Sequence, residues 1–65
     1  MWIVIYMAQS EDTAKDIQSM LTDEGFLVKS RPIYKNVSEQ DNCYEILVPQ
    51  SEAYEARCIL VDKGY

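Results

Sequence analysis

Eight uncharged residues, Met1-Trp2-Ile3-Val4-Ile5-Tyr6-Met7-Ala8, stand at the head of a chain of 65. β-Branched and aromatic side chains dominate the run and no helix breaker interrupts it, so it is expected to form a β-strand. Successive strand side chains point to opposite faces, which places Trp2, Val4, Tyr6 and Ala8 on one side and Ile3, Ile5 and Met7 on the other. Both sides are apolar. A domain of this length buries only about 60% of the surface its unfolded chain exposes, so it has few elements with which to cover a two-faced strand. The rest of the sequence decides which face is left over.

The elements follow in order. Ser10 is a good helix N-cap, Glu11 and Asp12 suit the positive end of a helix dipole, and Ala14, Ile17 and Leu21 recur at helical spacing with Met20 beside them. Glu11 and Lys15 form an i, i+4 pair in the favourable order. Gly25 is a C′ residue and Phe26 is placed for the apolar contact of a Schellman turn. Residues 26–33 read as a second strand, with Phe26 and Val28 on one face and Leu27, Lys29 and Arg31 on the other; Pro32 ends it or confines it to a sheet edge. Residues 35–42 are polar and turn-prone. Residues 43–48 read as a third strand, with Tyr44, Ile46 and Val48 on one face and Cys43, Glu45 and Leu47 on the other. Pro49 stops it, Ser51 can cap a second helix, and Ala53, Ala56 and Leu60 mark that helix's inward stripe with Ile59 alongside.

This order is βαββα in a single domain, residues 1–65. A right-handed crossover joins the first two strands, and the hairpin partner inserts between them. The expected fold is α+β: a truncated ferredoxin-like, three-stranded antiparallel sheet in the order 1-3-2, with two helices on one face. The first strand is then an edge strand as well as a two-faced one. The helices offer small residues, Ala14, Ala53 and Ala56, which favours Trp2, Val4, Tyr6 and Ala8 inward to fill the core. Ile3, Ile5 and Met7 would then lie on the open face near Leu27 and Leu47, and these five form the candidate interaction face. In the opposite register Trp2 and Tyr6 are exposed instead. Either way an apolar patch remains uncovered, and such patches on small proteins mark interaction surfaces.

Charge and composition narrow the function classes. Six basic against eleven acidic residues give a net charge of -5, which opposes contact with nucleic acid or an anionic membrane. No apolar run approaches the roughly 18 residues of a membrane span, and the apolar start lacks a positive n-region and a cleavage site. A cytoplasmic protein is expected. There is no histidine, which removes the commonest zinc ligand and the commonest general base. Cys43 and Cys58 are expected as reduced, half-buried thiols. No residue is assigned a catalytic, cofactor or metal role, and the chain is not expected to be an enzyme.

Lys29, Arg31 and Lys35 gather half of the six basic residues within seven positions and form a candidate anion site for a small anionic metabolite. Set against it is a cross-strand ion pair with Glu45, on the same face of the neighbouring strand, and this is the favoured reading. Glu11/Asp12 and Asp23/Glu24 are explained by dipole placement and a solvated helix face. Tyr34, Tyr44, Tyr54 and Tyr65 are assigned to packing, because base-stacking platforms combine aromatics with a positive groove. Asn36-Val37-Ser38 matches a glycosylation sequon in a chain with no secretory signal.

Met1-Trp2-x-Val4-x-Tyr6-x-Ala8, Gly25-Phe26-Leu27-Val28-Lys29-x-Arg31 and Tyr44-Glu45-Ile46-Leu47-Val48-Pro49 resemble a domain-of-unknown-function family of short bacterial proteins, frequent in clostridia and labelled prokaryotic signal-transducing proteins. That family is regarded as similar to the PII-like (GlnB-like) regulators. The resemblance implies a ferredoxin-like fold and partner contacts through the loop between the second and third strands, here residues 35–42. This loop is far shorter than a PII T-loop and the last strand is absent, and these two departures bear on the nucleotide binding and the trimer of that superfamily. Some relatives are labelled glutamate decarboxylase, but 65 residues cannot enclose pyridoxal phosphate. The expectation is a small interaction or regulatory module, homo-oligomeric or bound to a protein partner through the open sheet face or edge strand. The alternative is a sensor of a small anionic metabolite at Lys29, Arg31 and Lys35.

Overall fold

The computed structural model describes residues 1–34 and 42–65. Its elements are β1 (Trp2–Ala8), α1 (Glu11–Asp23), β2 (Lys29–Pro32), β3 (Tyr44–Pro49), a 3-10 turn (Gln50–Glu52) and α2 (Ala53–Asp62). The sheet has the order β1-β3-β2, and β3 is antiparallel to both neighbours. Tyr44, Ile46 and Val48 of β3 join Ala14, Ile17 and Leu21 of α1 and Ala56 and Leu60 of α2 in one buried cluster. Both helices therefore cover the same face of the sheet. Ile17, Leu21, Ile46 and Val48 are its largest fully buried side chains, and each contributes about 1.5–3 kcal/mol of apolar burial.

Local chemistry sets the ends of α1. Ser10 Oγ accepts from the Thr13 N–H at 3.1 Å and caps the helix. At the other end Gly25 takes φ +95°, a conformation that side-chain-bearing residues avoid. The Gly25 N–H reaches the Thr22 carbonyl at 3.0 Å and the Phe26 N–H reaches that of Leu21 at 3.0 Å, which is the Schellman pattern. Phe26 then packs on the core. The same device ends α2: Gly64 has φ +91°, and the Tyr65 N–H bonds the Leu60 carbonyl at 2.9 Å. That turn swings the Tyr65 ring against Tyr6 of β1, edge to face at 5.7 Å.

Four expectations along the chain shift, the first at β3, which runs Tyr44–Pro49 against the expected residues 43–48, so Pro49 lies within the strand opposite Trp2. Ser51 makes no cap; it sits inside the 3-10 turn, and α2 starts after Glu52 without a side-chain cap bond. β2 is shorter than residues 26–33, because the Leu27 N–H turns to Glu52 Oε1 at 3.2 Å and not to a ladder partner. Asn42, expected in a solvated loop, is 3% exposed. Its side chain donates to the Tyr34 carbonyl at 2.7 Å and accepts from the Tyr34 N–H at 3.0 Å, so it substitutes for a strand neighbour just beyond β2. Lys35 and the sequon at Asn36 lie outside the described residues.

The strict alternation expected of β1 is broken by a β-bulge. Ile3 and Val4 lie opposite Val48 and Leu47, but the next pair is Tyr6 with Ile46, leaving Ile5 as the extra residue. Directly opposed residues share a face. Ile3, Tyr6 and Ala8 therefore face the helices with Val48, Ile46 and Tyr44, whereas Trp2, Val4 and Met7 share the open face with Pro49, Leu47 and Glu45. Ile5 also packs on the core. Tyr6 and Ala8 inward and Met7 outward match expectation, but Trp2, Val4, Ile3 and Ile5 are inverted by the bulge. Replacing Ile5 by Lys drives an ammonium into packed apolar surface and costs about 2–3 kcal/mol, while Val4→Lys costs under about 1 kcal/mol. In a domain this small the first loss lowers Tm by about 10 °C or more. Thermal denaturation of the two variants checks the order, which a strand without the bulge would not produce.

Candidate functional site

β1 ends the sheet, and among the described residues no strand pairs with its outer edge. Seven residues long, that edge runs about 23 Å at 3.3 Å per residue. Residues 1–10 carry no charged side chain and no proline, so the edge lacks two of the devices by which exposed strands discourage pairing. Alongside it, on the helix side, Ile3 with Ala53, Tyr54, Arg57, Cys58 and Val61 lines a groove of about 630 Å³. A smaller hollow of about 150 Å³ continues it past Ile5, Tyr6, Leu60 and Tyr65 and shares Arg57 and Val61 with the first. The groove thus follows β1 and α2 along most of their lengths.

The open face carries the second part of the surface. Trp2 is 38% exposed, Val4 42% and Met7 56%. Of the five residues expected to form the interaction face, the structure keeps Met7 there. Ile3 and Ile5 turn to the helix side, and Leu47, although on the open face, is only 5% exposed. Leu27 is 63% exposed but lies before β2 and outside the ladder. The surviving surface is therefore Trp2, Val4 and Met7 on one side of the β1 edge, with the groove on the other. Sequence periodicity offers an exposed Trp2 only in the opposite register, together with Tyr6; no single register exposes Trp2, Val4 and Met7 at once, and a bulge without a glycine leaves no mark in the pattern.

The cationic cluster is largely engaged within the sheet. Arg31 lies directly opposite Glu45, and its Nε and Nη2 donate to Glu45 Oε1 at 2.9 and 2.7 Å. The cross-strand ion pair is the arrangement expected over a free anion site. Exposed pairs of this kind contribute about 0.2–1 kcal/mol. Lys29 places its Nζ 4.1 Å from the centre of the Trp2 ring, a cation–π contact of about 0.5–1 kcal/mol at an exposed site. Val4, Leu47 and Lys29 stand in one row across the three strands, so the Trp2 ring and the Lys29 stem help to cover Leu47.

The remaining candidates do not converge. Tyr44 is buried in the core, Tyr65 rests on Tyr6, and Tyr54 stands exposed at the groove. Cys43 is half-buried as expected, whereas Cys58 is exposed and not half-buried. Among the described residues no three His, Cys, Asp or Glu side chains are grouped to hold a metal ion, and no helix is long and apolar enough to cross a membrane. Comparison with protein-family models, curated proteins and solved structures found no match to this chain.

With the Arg31 charge matched by Glu45, phosphate, nucleotides and amino acids at millimolar concentration are expected to leave Tm unchanged. A ligand present at 100 times its Kd would add about 2.7 kcal/mol to stability, so a thermal-shift panel resolves the question. A rise of several degrees with any member would restore the anion reading.

Proposed function

We propose that this chain is a small cytoplasmic interaction or regulatory module without catalytic chemistry of its own, which works by protein–protein contact through β1. One observation carries the reading: the strand at the edge of the sheet is uncharged and is also the one that exposes Trp2, Val4 and Met7. An edge strand can extend a partner's sheet through main-chain hydrogen bonds, with alternate side chains adding selectivity. The acidic charge elsewhere, eleven carboxylates against six basic groups, disfavours polyanionic partners and leaves apolar contact as the main attraction available at this surface. The family resemblance in the sequence motifs is consistent with a signalling role and adds no catalytic residue.

The test is quantitative capture of partners from the cells that make the protein, with wild type, Val4→Lys, Met7→Lys and the remote control Glu24→Lys. Val4 and Met7 lie on the open face and Glu24 is exposed at the end of α1, so all three variants should fold. The expected result is loss of bound partner by tenfold or more for the two β1 variants only. Equal capture by all four would remove β1 as the contact.

A further inference from the structure

We infer that the occupant of the outer edge of β1 is an extended segment of a different protein, added antiparallel to β1, with a basic residue two positions before an acidic one on its groove side. This rests on the reading of β1 as the contact strand and names the sequence chemistry that the strand selects.

Main-chain directions set the kind of occupant. Residues of a central strand bond alternately to its two neighbours. The Ile33 N–H donates to the Cys43 carbonyl, so by alternation Glu45 with Arg31 and Leu47 with Lys29 are the bonded pairs between β3 and β2. Glu45 and Leu47 therefore turn away from β1, and the residues opposite them, Met7 and Val4, turn their own N–H and C=O groups outward. At the other end the Gln50 N–H donates to the Met1 carbonyl at 2.8 Å, which makes Trp2 and Pro49 an unbonded pair and turns Trp2 outward as well. Such a row is matched by the main chain of another strand. Alternation holds from Trp2 to Ile5 and ends at the bulge, so the regular contact spans residues 2–5.

Charge sets the sequence of the added strand. Gln50 meets Met1 at one end and Tyr65 meets Tyr6 at the other, so α2 runs parallel to β1 beside it. Even spacing between these ends sets Arg57 about level with Ile3 and Asp62 about level with Ile5. Both charged residues line the groove with Ile3, both are exposed, and among the described residues neither forms a salt bridge. Five helical residues rise about 7.5 Å, close to the roughly 6.8 Å between alternate residues of a strand. Directly opposed residues share a face, so the added residues opposite Ile3 and Ile5 point to the groove. The first meets Arg57 and is acidic; the second meets Asp62 and is basic. Antiparallel pairing is the more stable per residue and reverses the order, which puts the basic residue first. β1 of a second copy carries no charged side chain and matches neither group.

Fluorescence anisotropy with labelled, end-capped heptapeptides tests this. The probes are Thr-Val-Lys-Val-Glu-Val-Thr, the exchanged Thr-Val-Glu-Val-Lys-Val-Thr, and the first peptide N-methylated at its central Val, which pairs with Val4. Each is titrated at low salt with wild type and with the double variant Arg57→Asp/Asp62→Arg, whose folding circular dichroism confirms. Wild type should bind the base-first peptide at least fivefold tighter than the acid-first one, and the double variant should reverse that preference. N-methylation should weaken binding tenfold or more. Equal affinity for the two orders, the opposite preference in wild type, a preference unmoved by the double variant, a tolerated methyl group, or no binding at millimolar peptide would each overturn the inference. Loss of cellular partners by Val4→Lys alongside peptides bound without order preference would strike only this sequence rule and leave β1 as the contact.

Discussion

The pairing of β1 with β3 is the contact on which the rest of this small domain depends. β3 is the central strand and supplies Tyr44, Ile46 and Val48 to the core. β1 must cover one side of it while presenting enough bulk to meet two helices whose facing residues include Ala14 and Ala56. One extra residue at Ile5 solves this. It turns Ile5 and Tyr6 toward the helices in succession, with Ile3 before them and Ala8 after. The same irregularity sends Trp2 and Val4 to the uncovered face, so the core and the exposed apolar surface are consequences of one local departure from the ladder.

Polar contacts then trim that surface without closing it. Lys29 over Trp2 and Arg31 on Glu45 occupy the middle of the open face. They convert what the sequence presents as a cationic cluster into cross-strand pairs, and with the Trp2 ring they help to cover Leu47. Each contact is individually weak, and on the open face of the ladder Trp2, Val4 and Met7 of β1 stay partly exposed while Leu47 is covered. Tyr65, carried back by the second glycine turn, covers part of Tyr6 at the helix side. Among the described residues no strand pairs with the edge between these two faces.

Much of the architecture was legible because it rests on local rules. Ser10, the Ala14–Ile17–Leu21 spacing and Gly25-Phe26 specify α1 and both of its ends, and the alternation in Tyr44-Glu45-Ile46-Leu47-Val48 specifies which face of β3 is buried. Gly64-Tyr65 repeats the Gly25-Phe26 signal, and its consequence for Tyr6 could have been read from that repetition. The inversion of Trp2 and Val4 was not legible. Bulges are set by tertiary fit, and Ile5 is flanked by residues as apolar as itself. The shortened β2 and the buried Asn42 depend on partners far away in sequence, Glu52 for the first and Tyr34 for the second. The groove needs β1 and α2 side by side, which no single stretch announces.

Trp2 is the chain's single tryptophan, so its fluorescence reports the consequence of the bulge without labelling. With Trp2 on the open face and partly exposed beneath Lys29, native emission should lie toward that of a solvated indole, and acrylamide should quench it readily before unfolding. Blue-shifted emission that resists quenching until the protein unfolds would place Trp2 in the core. That result would contradict the bulge and the surface that follows from it.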